Sequence, residues 1–357
     1  MTGAPTIPVT VLTGFLGSGK TTVLNHLLHQ PDMEGVVAII NEFGEVGLDH
    51  LLVETSEERF ALLDNGCVCC SVREDLVSLL TELSSRGGVG AAPIRRVLIE
   101  TTGLADPVPV LHTLMTDPSV IERYRIDGVV VTVDAVNAIG SLDVYAEAVK
   151  QIAVADRILL TKSDLVDEVS RAAVETCVRL VNPTVSITHV EHGRIGPEHI
   201  FEAGLFSPEG RSDDVALWFA AAAKAAGSHA HGGSDDGHHE HRHDVHDKGV
   251  TSFSLTVREP IRWDAFSRWL DYVAALKGDD LLRFKALVNV AERPAGPLVV
   301  HAVQHVMHPP IEMDAWPSDD RNSRLVFIVR DIPEEAIVST LARFGDVSRD
   351  SIARTAA

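Results

Sequence analysis

The stretch Gly14-Phe15-Leu16-Gly17-Ser18-Gly19-Lys20-Thr21 decides the fold. It follows the spacing G-x-x-x-x-G-K-T, in which glycines let successive backbone N–H groups turn toward phosphate oxygens. The run Val9–Thr13 before it reads as a strand, and Thr21–His29 after it reads as a helix whose N-terminus favours an anion. That strand–loop–helix context is the one a phosphate loop requires. Lys20 is expected to reach the β- and γ-phosphates of a nucleotide, and the Thr21 hydroxyl to ligate Mg²⁺. Gly14, Gly17, Ser18, Gly19 and Thr22 complete the expected cradle.

Working outward, short β-branched runs alternate with helix-like segments to about residue 190. Further strands are expected at Val36–Ile40, Ala61–Asp64, Arg96–Glu100, Gly128–Asp134, Arg157–Thr161 and Thr184–Thr188. Runs such as VVAII and RILLT are apolar throughout, as strands covered on both faces are. Helices are expected at Arg73–Ser84, Leu142–Ala153 and Ser170–Leu180. The fold class is α/β, a mostly parallel sheet with helices between its strands. Beyond residue 250 the order changes to βαβββα, from Thr251–Val257 through helix Ile261–Leu276 and strands Leu282–Val290, Leu298–Val306 and Arg324–Arg330 to helix Pro333–Phe344. That order predicts a smaller α+β domain with an antiparallel sheet. The expected division is a nucleotide domain at 1–226, a linker at 227–249 and a C-terminal domain at 250–357.

Two later tetrapeptides extend the phosphate loop. Strand RVLIE ends in Glu100-Thr101-Thr102-Gly103, which places a carboxylate at a strand end within reach of the Mg²⁺ shell and a Gly103 N–H near a γ-phosphate. Strand RILL ends in Thr161-Lys162-Ser163-Asp164. Asp164 can accept two hydrogen bonds from the N1–H and N2–H₂ edge of guanine, an edge adenine lacks, and the Lys162 stem can lie over the base. GTP is therefore favoured over ATP.

Together GFLGSGKTT, NEFGEVGLD, NGCVCC, ETTGLADP and TKSD resemble the CobW-type family of metal-linked P-loop GTPases, the group that includes the UreG and HypB nickel-insertion GTPases. HAVQHV and SRLVFIVRD resemble that family's C-terminal domain. The sequence departs at Thr161, where the usual guanine motif has Asn, and so loses a side-chain amide. No Gln follows Glu100-Thr101-Thr102-Gly103 to orient water, so hydrolysis by the isolated chain is expected to be slow.

Three of the four cysteines, Cys67, Cys69 and Cys70, fall within four residues. A disulfide between adjacent cysteines is strained, and of these thiols only Cys67 and Cys70 have the C-x-x-C spacing of a redox centre, with Cys69 between them. Buried thiols without chemistry are a further alternative. A soft-metal site is the leading one: thiolates suit Zn²⁺, which takes four ligands, so three thiols leave one position for a carboxylate, water or partner. The resemblance supports metal binding at this motif, and Glu42 or Glu45 in the intervening NEFGEVG segment could join the thiols. Cys177 recurs with Val174, Val178 and Val181 at helical spacing and is expected in a core.

The segment 227–248 has seven histidines and five acids around a single sizeable apolar residue, too little to drive folding. His229, His231, His238, His239, His241, His243 and His246 can bind Zn²⁺, Ni²⁺ or Co²⁺ with poor selectivity, or serve only as a soluble tether. His301 and His305 would share a face if Leu298–Val306 were one strand, although sheet-surface histidines are commonly structural.

A formal charge of −20 argues against a sequence-independent grip on nucleic acid. No apolar run is long enough to span a bilayer, and the N-terminus lacks a signal-peptide pattern, so a cytoplasmic protein is expected. The resemblance implies a GTP-driven metallochaperone with GTP, Mg²⁺ and Zn²⁺ or Co²⁺ as ligands and a client metalloprotein as partner; a homo-oligomer is compatible. Its alternatives are cobalt handling for cobalamin biosynthesis, activation of a nitrile hydratase-type enzyme, and a histidine-rich metal buffer.

Overall fold

The computed structural model describes residues 6–40, 60–62, 71–86, 93–201 and 249–354. These residues fall into two compact units, one built on each of two sheets.

The first unit runs β1 (Ile7–Gly14), α1 (Lys20–Leu28), β2 (Val36–Ile40), β3 (Phe60–Leu62), α2 (Ser71–Arg86), β4 (Arg96–Glu100), α3 (Val108–Thr116) and α4 (Pro118–Ile121). It continues through β5 (Tyr124–Asp134), α5 (Ala138–Val144), α6 (Ala146–Val154), β6 (Arg157–Thr161), the first half of α7 (Glu168–Val181) and β7 (Ser186–Val190), while residues 176–185 group with the second unit. The strands form one sheet in the order β3-β2-β4-β1-β5-β6-β7, parallel throughout. All five residues of β2 are buried, as the unbroken apolar run implies. β1 leads through α1 to one side of the sheet, whereas its other neighbour is β5. This reversal of direction opens a crevice at the carboxyl end of β1, where ligands of such sheets sit.

Expected and observed strands coincide at Val36–Ile40, Arg96–Glu100 and Arg157–Thr161. The last strand lies two residues later than expected. α7 ends at Val181, and the turn through Asn182-Pro183, closed by Val185 N–H on the Asn182 carbonyl at 3.4 Å, uses Thr184 and Val185 before pairing begins. The helix expected over Leu142–Ala153 is two helices. Tyr145 between them is extended (φ −108°, ψ 120°), and its ring lies 4.6 Å from that of Phe15 in the phosphate loop. Apolar spacing continues across the break, so periodicity does not reveal it. In α7, Val174, Val178 and Val181 are buried, but Cys177, expected in a core, is only half-buried.

The second unit comprises β8 (Val250–Val257), α8 (Trp263–Lys277), β9 (Arg283–Val288), β10 (Leu298–Val303), β11 (Val306–Met307), β12 (Ile311–Glu312), β13 (Ser323–Arg330), α9 (Glu334–Phe344) and β14 (Ile352–Arg354). Its antiparallel sheet has the order β11-β10-β9-β13-β8-β14, with β12 also on β10. Alternate residues Phe253, Leu255, Phe284, Leu325 and Phe327 bury with Phe266 and Trp269 of α8, and the Phe253 and Phe327 rings stack at 5.1 Å. The expected strand Leu298–Val306 stops at Val303. Gln304 takes a left-handed conformation (φ 52°), and the chain folds back with Val303 opposite Val306. His301 is consequently buried at 1% exposure while His305 stands at the hairpin tip, so the two do not form one metal face. Among the described residues, no cluster of three or more His, Cys, Asp or Glu side chains could hold a metal ion, and no helix is long and apolar enough to cross a membrane.

Candidate nucleotide site

β1 delivers the phosphate loop directly at the crevice. Gly14, its last residue, pairs with Thr132 of β5 at φ +148°, and a Cβ there would lie 2.2 Å from the Thr132 hydroxyl. Only glycine lets the loop leave the sheet so close to its neighbour. Gly19 caps α1 in a left-handed conformation. The Ser18 hydroxyl bonds that of Thr132 at 2.6 Å, which ties the loop to β5. Lys20 is buried, and its ammonium donates to the carbonyls of Gly14 (2.9 Å) and Phe15 (3.2 Å). The cation thus lies under the loop, beside the N–H groups of the first turn of α1, where a polyphosphate gains most from it.

Glu100 ends β4 in register with Ile40 and Leu12, and its Oε1 accepts from the Thr21 hydroxyl at 3.3 Å. A hydroxyl and a carboxylate this close are the hard oxygen donors that Mg²⁺ takes. The next residue, Thr101, donates its hydroxyl to that of Thr13 at 2.6 Å and its N–H to the Leu12 carbonyl at 3.0 Å. These bonds fix the strand end that carries Glu100. Gly103 lies against the phosphate loop, since a Cβ on it would meet the Leu16 backbone nitrogen at 2.8 Å. Gln151 of α6 donates to the carbonyls of Gly103 (3.3 Å) and Ala105 (3.0 Å), and Lys150 pairs with Asp106. Helix α6 therefore holds the whole 103–106 segment.

Thr161, Lys162 and Asp164 occupy the end of β6. Thr161 is 4% exposed, and its hydroxyl donates to the Ser18 carbonyl at 2.7 Å, with the Val133 carbonyl at 3.1 Å. Thr161 thus joins the guanine motif to the phosphate loop from beneath. Lys162 is left-handed (φ 55°) and donates to Asp134 Oδ2 at 2.7 Å. Asp134 Oδ1 accepts from Val136 N–H and its Oδ2 also from the Asn137 amide, each at 2.8 Å. Burial opposes the Asp134 charge, but the Lys162, Asn137 and Val136 hydrogen bonds outweigh it and hold the carboxyl below its usual range. The Asp164 carboxylate faces His192 at 3.6 Å. His192 and Gly193 form a tight turn between Glu191 and Arg194, and Gly193 packs on the backbone of Thr22.

The structure therefore gathers Gly14, Gly17, Ser18, Gly19, Lys20, Thr21, Thr22, Glu100, Gly103, Thr161, Lys162 and Asp164 at one edge of the sheet. β2 and β3 end at that edge too, with Ile40 beside both Glu100 and Leu62. Glu42, Glu45, Cys67, Cys69, Cys70 and the histidines of 229–246 lie outside the described residues. Sequence reasoning missed Asp134, Asn137, Gln151 and His192. Asp134 had a usable signal, an acid ending an otherwise apolar strand. Gln151 and His192 had none, because their partners are distant in the chain.

Comparison with known proteins agrees with this geometry. Residues 8–189 match the model "CobW/HypB/UreG, nucleotide-binding domain", and residues 250–344 match "Cobalamin synthesis protein cobW C-terminal domain". The chain is 30% identical over 338 residues to "Zinc chaperone YjiA" of Escherichia coli, covering 94% of this chain and 98% of that one. It is 27% identical over 365 residues to "Zinc chaperone CobW" of a Sinorhizobium species, covering 93% and 95%. The crystal structure of Zn(II)-bound YjiA GTPase from E. coli has the same fold, with a TM-score of 0.67 over 96% of this chain and 99% of that one at 24% identity. A phosphate loop on a parallel sheet, a guanine-type motif at the end of β6 and a separate antiparallel unit place the chain in the CobW/HypB/UreG family of P-loop GTPases, with a CobW-type C-terminal domain.

Proposed function

We propose that the protein is a GTP-hydrolysing metallochaperone that takes Zn²⁺ at Cys67, Cys69 and Cys70 and passes it to a client metalloprotein. The observation that carries this reading is the shared edge. β2, which leads into the NEFGEVG segment, ends beside Glu100, and β3, which leads toward NGCVCC, ends beside β2, at the same carboxyl edge of the sheet as the phosphate loop. The printed names of the YjiA and CobW relatives support zinc over cobalt.

In this reading Lys20 and the N–H groups of the first turn of α1 hold the β- and γ-phosphates. Thr21 and Glu100 hold Mg²⁺, which when bound neutralises charge developing on the phosphate oxygens. Lys162 and Asp164 select guanine. Gly103 bonds a γ-phosphate oxygen, a role supported by the bonds of Gln151 and the Lys150–Asp106 pair that hold its segment. The NEFGEVG segment, including Glu42 and Glu45, senses the γ-phosphate and alters the thiolate site; hydrolysis reverses the change and favours transfer. Residues 227–249 tether the nucleotide domain (1–226) to the C-terminal domain (250–357), and the tether's histidines collect metal weakly.

The thiolate assignment is tested in protein lacking residues 229–246. Cys67→Ala or Cys69→Ala is expected to lower zinc stoichiometry or affinity in a direct titration. Unchanged tight binding in both variants would remove the thiols from the site.

A further inference from the structure

We infer that Asp134, braced by Asn137, is a positioning residue of the guanine site: it pins the Lys162 ammonium so that the lysine stem forms a fixed wall of the base slot. The inference rests on the reading of Lys162 and Asp164 as the base-selecting pair.

Asp134 ends β5 opposite Thr161, so Lys162 begins one residue past the paired strand ends. Its side chain must therefore cross from β6 to β5 to reach Asp134, and it does so with a 2.7 Å ion pair. On one side of this crossing Thr161 contacts the phosphate loop through the Ser18 carbonyl, and on the other Asp164 faces the His192 turn. The alkyl stem thus spans the interval between the loop that holds phosphates and the carboxylate that reads the base. A lysine stem free in water samples many rotamers and loses that freedom when it is ordered. Anchoring its far end before the nucleotide arrives removes much of that cost from binding.

The anchor is itself braced. Asp134 is 7% exposed and takes three donors, from Lys162, the Asn137 amide and Val136 N–H. A carboxylate placed only to stabilise the turn after β5 would be satisfied by Val136 and Asn137, both within three residues of it. The third donor comes from the guanine motif, 28 residues away. Lys162 keeps 36% of its side chain exposed while Asp134 keeps 9%, so the anchor is buried and the stem faces the open crevice.

The test measures GTP and GDP binding and steady-state hydrolysis on the full chain with Mg²⁺. Asp134→Asn is expected to weaken both nucleotides about ten-fold, the scale of a lost charge-assisted hydrogen bond, raising KM and leaving kcat within about two-fold. Lys162→Met should give a similar loss, and the double variant should be no weaker than either single one. Asn137→Ala, which keeps the charge and removes one brace, should weaken binding about two- to three-fold and provides a second reading should Asp134→Asn fold poorly. Wild-type affinity in Asp134→Asn, or fully multiplicative losses in the double variant, would overturn the assignment. Asp164→Asn tests the underlying reading separately. It should turn preference from GDP to the xanthine nucleotide, and an unchanged preference would remove the base-selecting pair without reference to Asp134.

Discussion

Asp127 and Asp134 lie on the same strand, β5, and both are buried, at 2% and 7% exposure. Asp127 sits where the register with β1 shifts: Val9 pairs with Ile126 and Thr10 with Gly128, leaving Asp127 as the extra residue of a bulge. The bulge aims its carboxylate at the Thr10 hydroxyl (3.0 Å) and Arg96 (2.5 Å), with Arg125 at 3.8 Å. The Arg96 guanidinium also lies 4.4 Å over the Phe201 ring. These partners belong to the scaffold. Asp134 stands at the opposite, carboxyl end of the strand, and its long-range partner is a half-exposed lysine of the guanine motif. One strand thus carries a charge closed on the fold at one end and a charge paired with a partly exposed lysine at the sheet's carboxyl edge at the other. Burial alone does not distinguish them; the partner's exposure and its place on the sheet do.

This contrast can be broken in two ways. Asp127→Ala leaves Arg96 and Thr10 facing a buried gap, so it is expected to destabilise the first unit by about 3 kcal/mol. Chemical denaturation should show that loss, and GTP affinity measured well below the unfolding transition should stay within about two-fold. A large affinity loss in folded Asp127→Ala would erase the distinction. The smaller effect concerns pH. Asp134 is held below its usual carboxyl value, so its contribution is present above 3.8 and is lost as pH falls through the lower folded value. The stability difference between wild type and Asp134→Asn should therefore be constant from pH 7 to near 4 and shrink only below that. Shrinkage between pH 6 and 5 would contradict the direction of the shift.

The α/β class and the phosphate site were legible because their signals are local. A strand, a glycine-rich loop and a helix follow one another within about 25 residues, and each short motif sits at the end of an apolar run. What was not legible depends on contacts across the sheet. Thr161 read as the loss of an amide, yet its hydroxyl joins β6 to the Ser18 carbonyl, a bond spanning 143 residues. Gln151 falls within an ordinary amphipathic helix, and only folding brings it to the Gly103 carbonyl. The reversal at Gln304 separated His301 from His305 because a single left-handed residue ended a strand whose apolar pattern continues. β14 carries only three residues and so has no pattern to read.

The central claim is that nucleotide and metal are coupled across one sheet edge, and reciprocal titration tests it most directly. Zinc affinity is measured in the 229–246 deletion with and without a non-hydrolysable GTP analogue and Mg²⁺, and analogue affinity with and without zinc. The account predicts that each ligand changes the affinity for the other by the same factor, on the order of 5- to 150-fold. Zinc and nucleotide affinities that are each indifferent to the other ligand would contradict it.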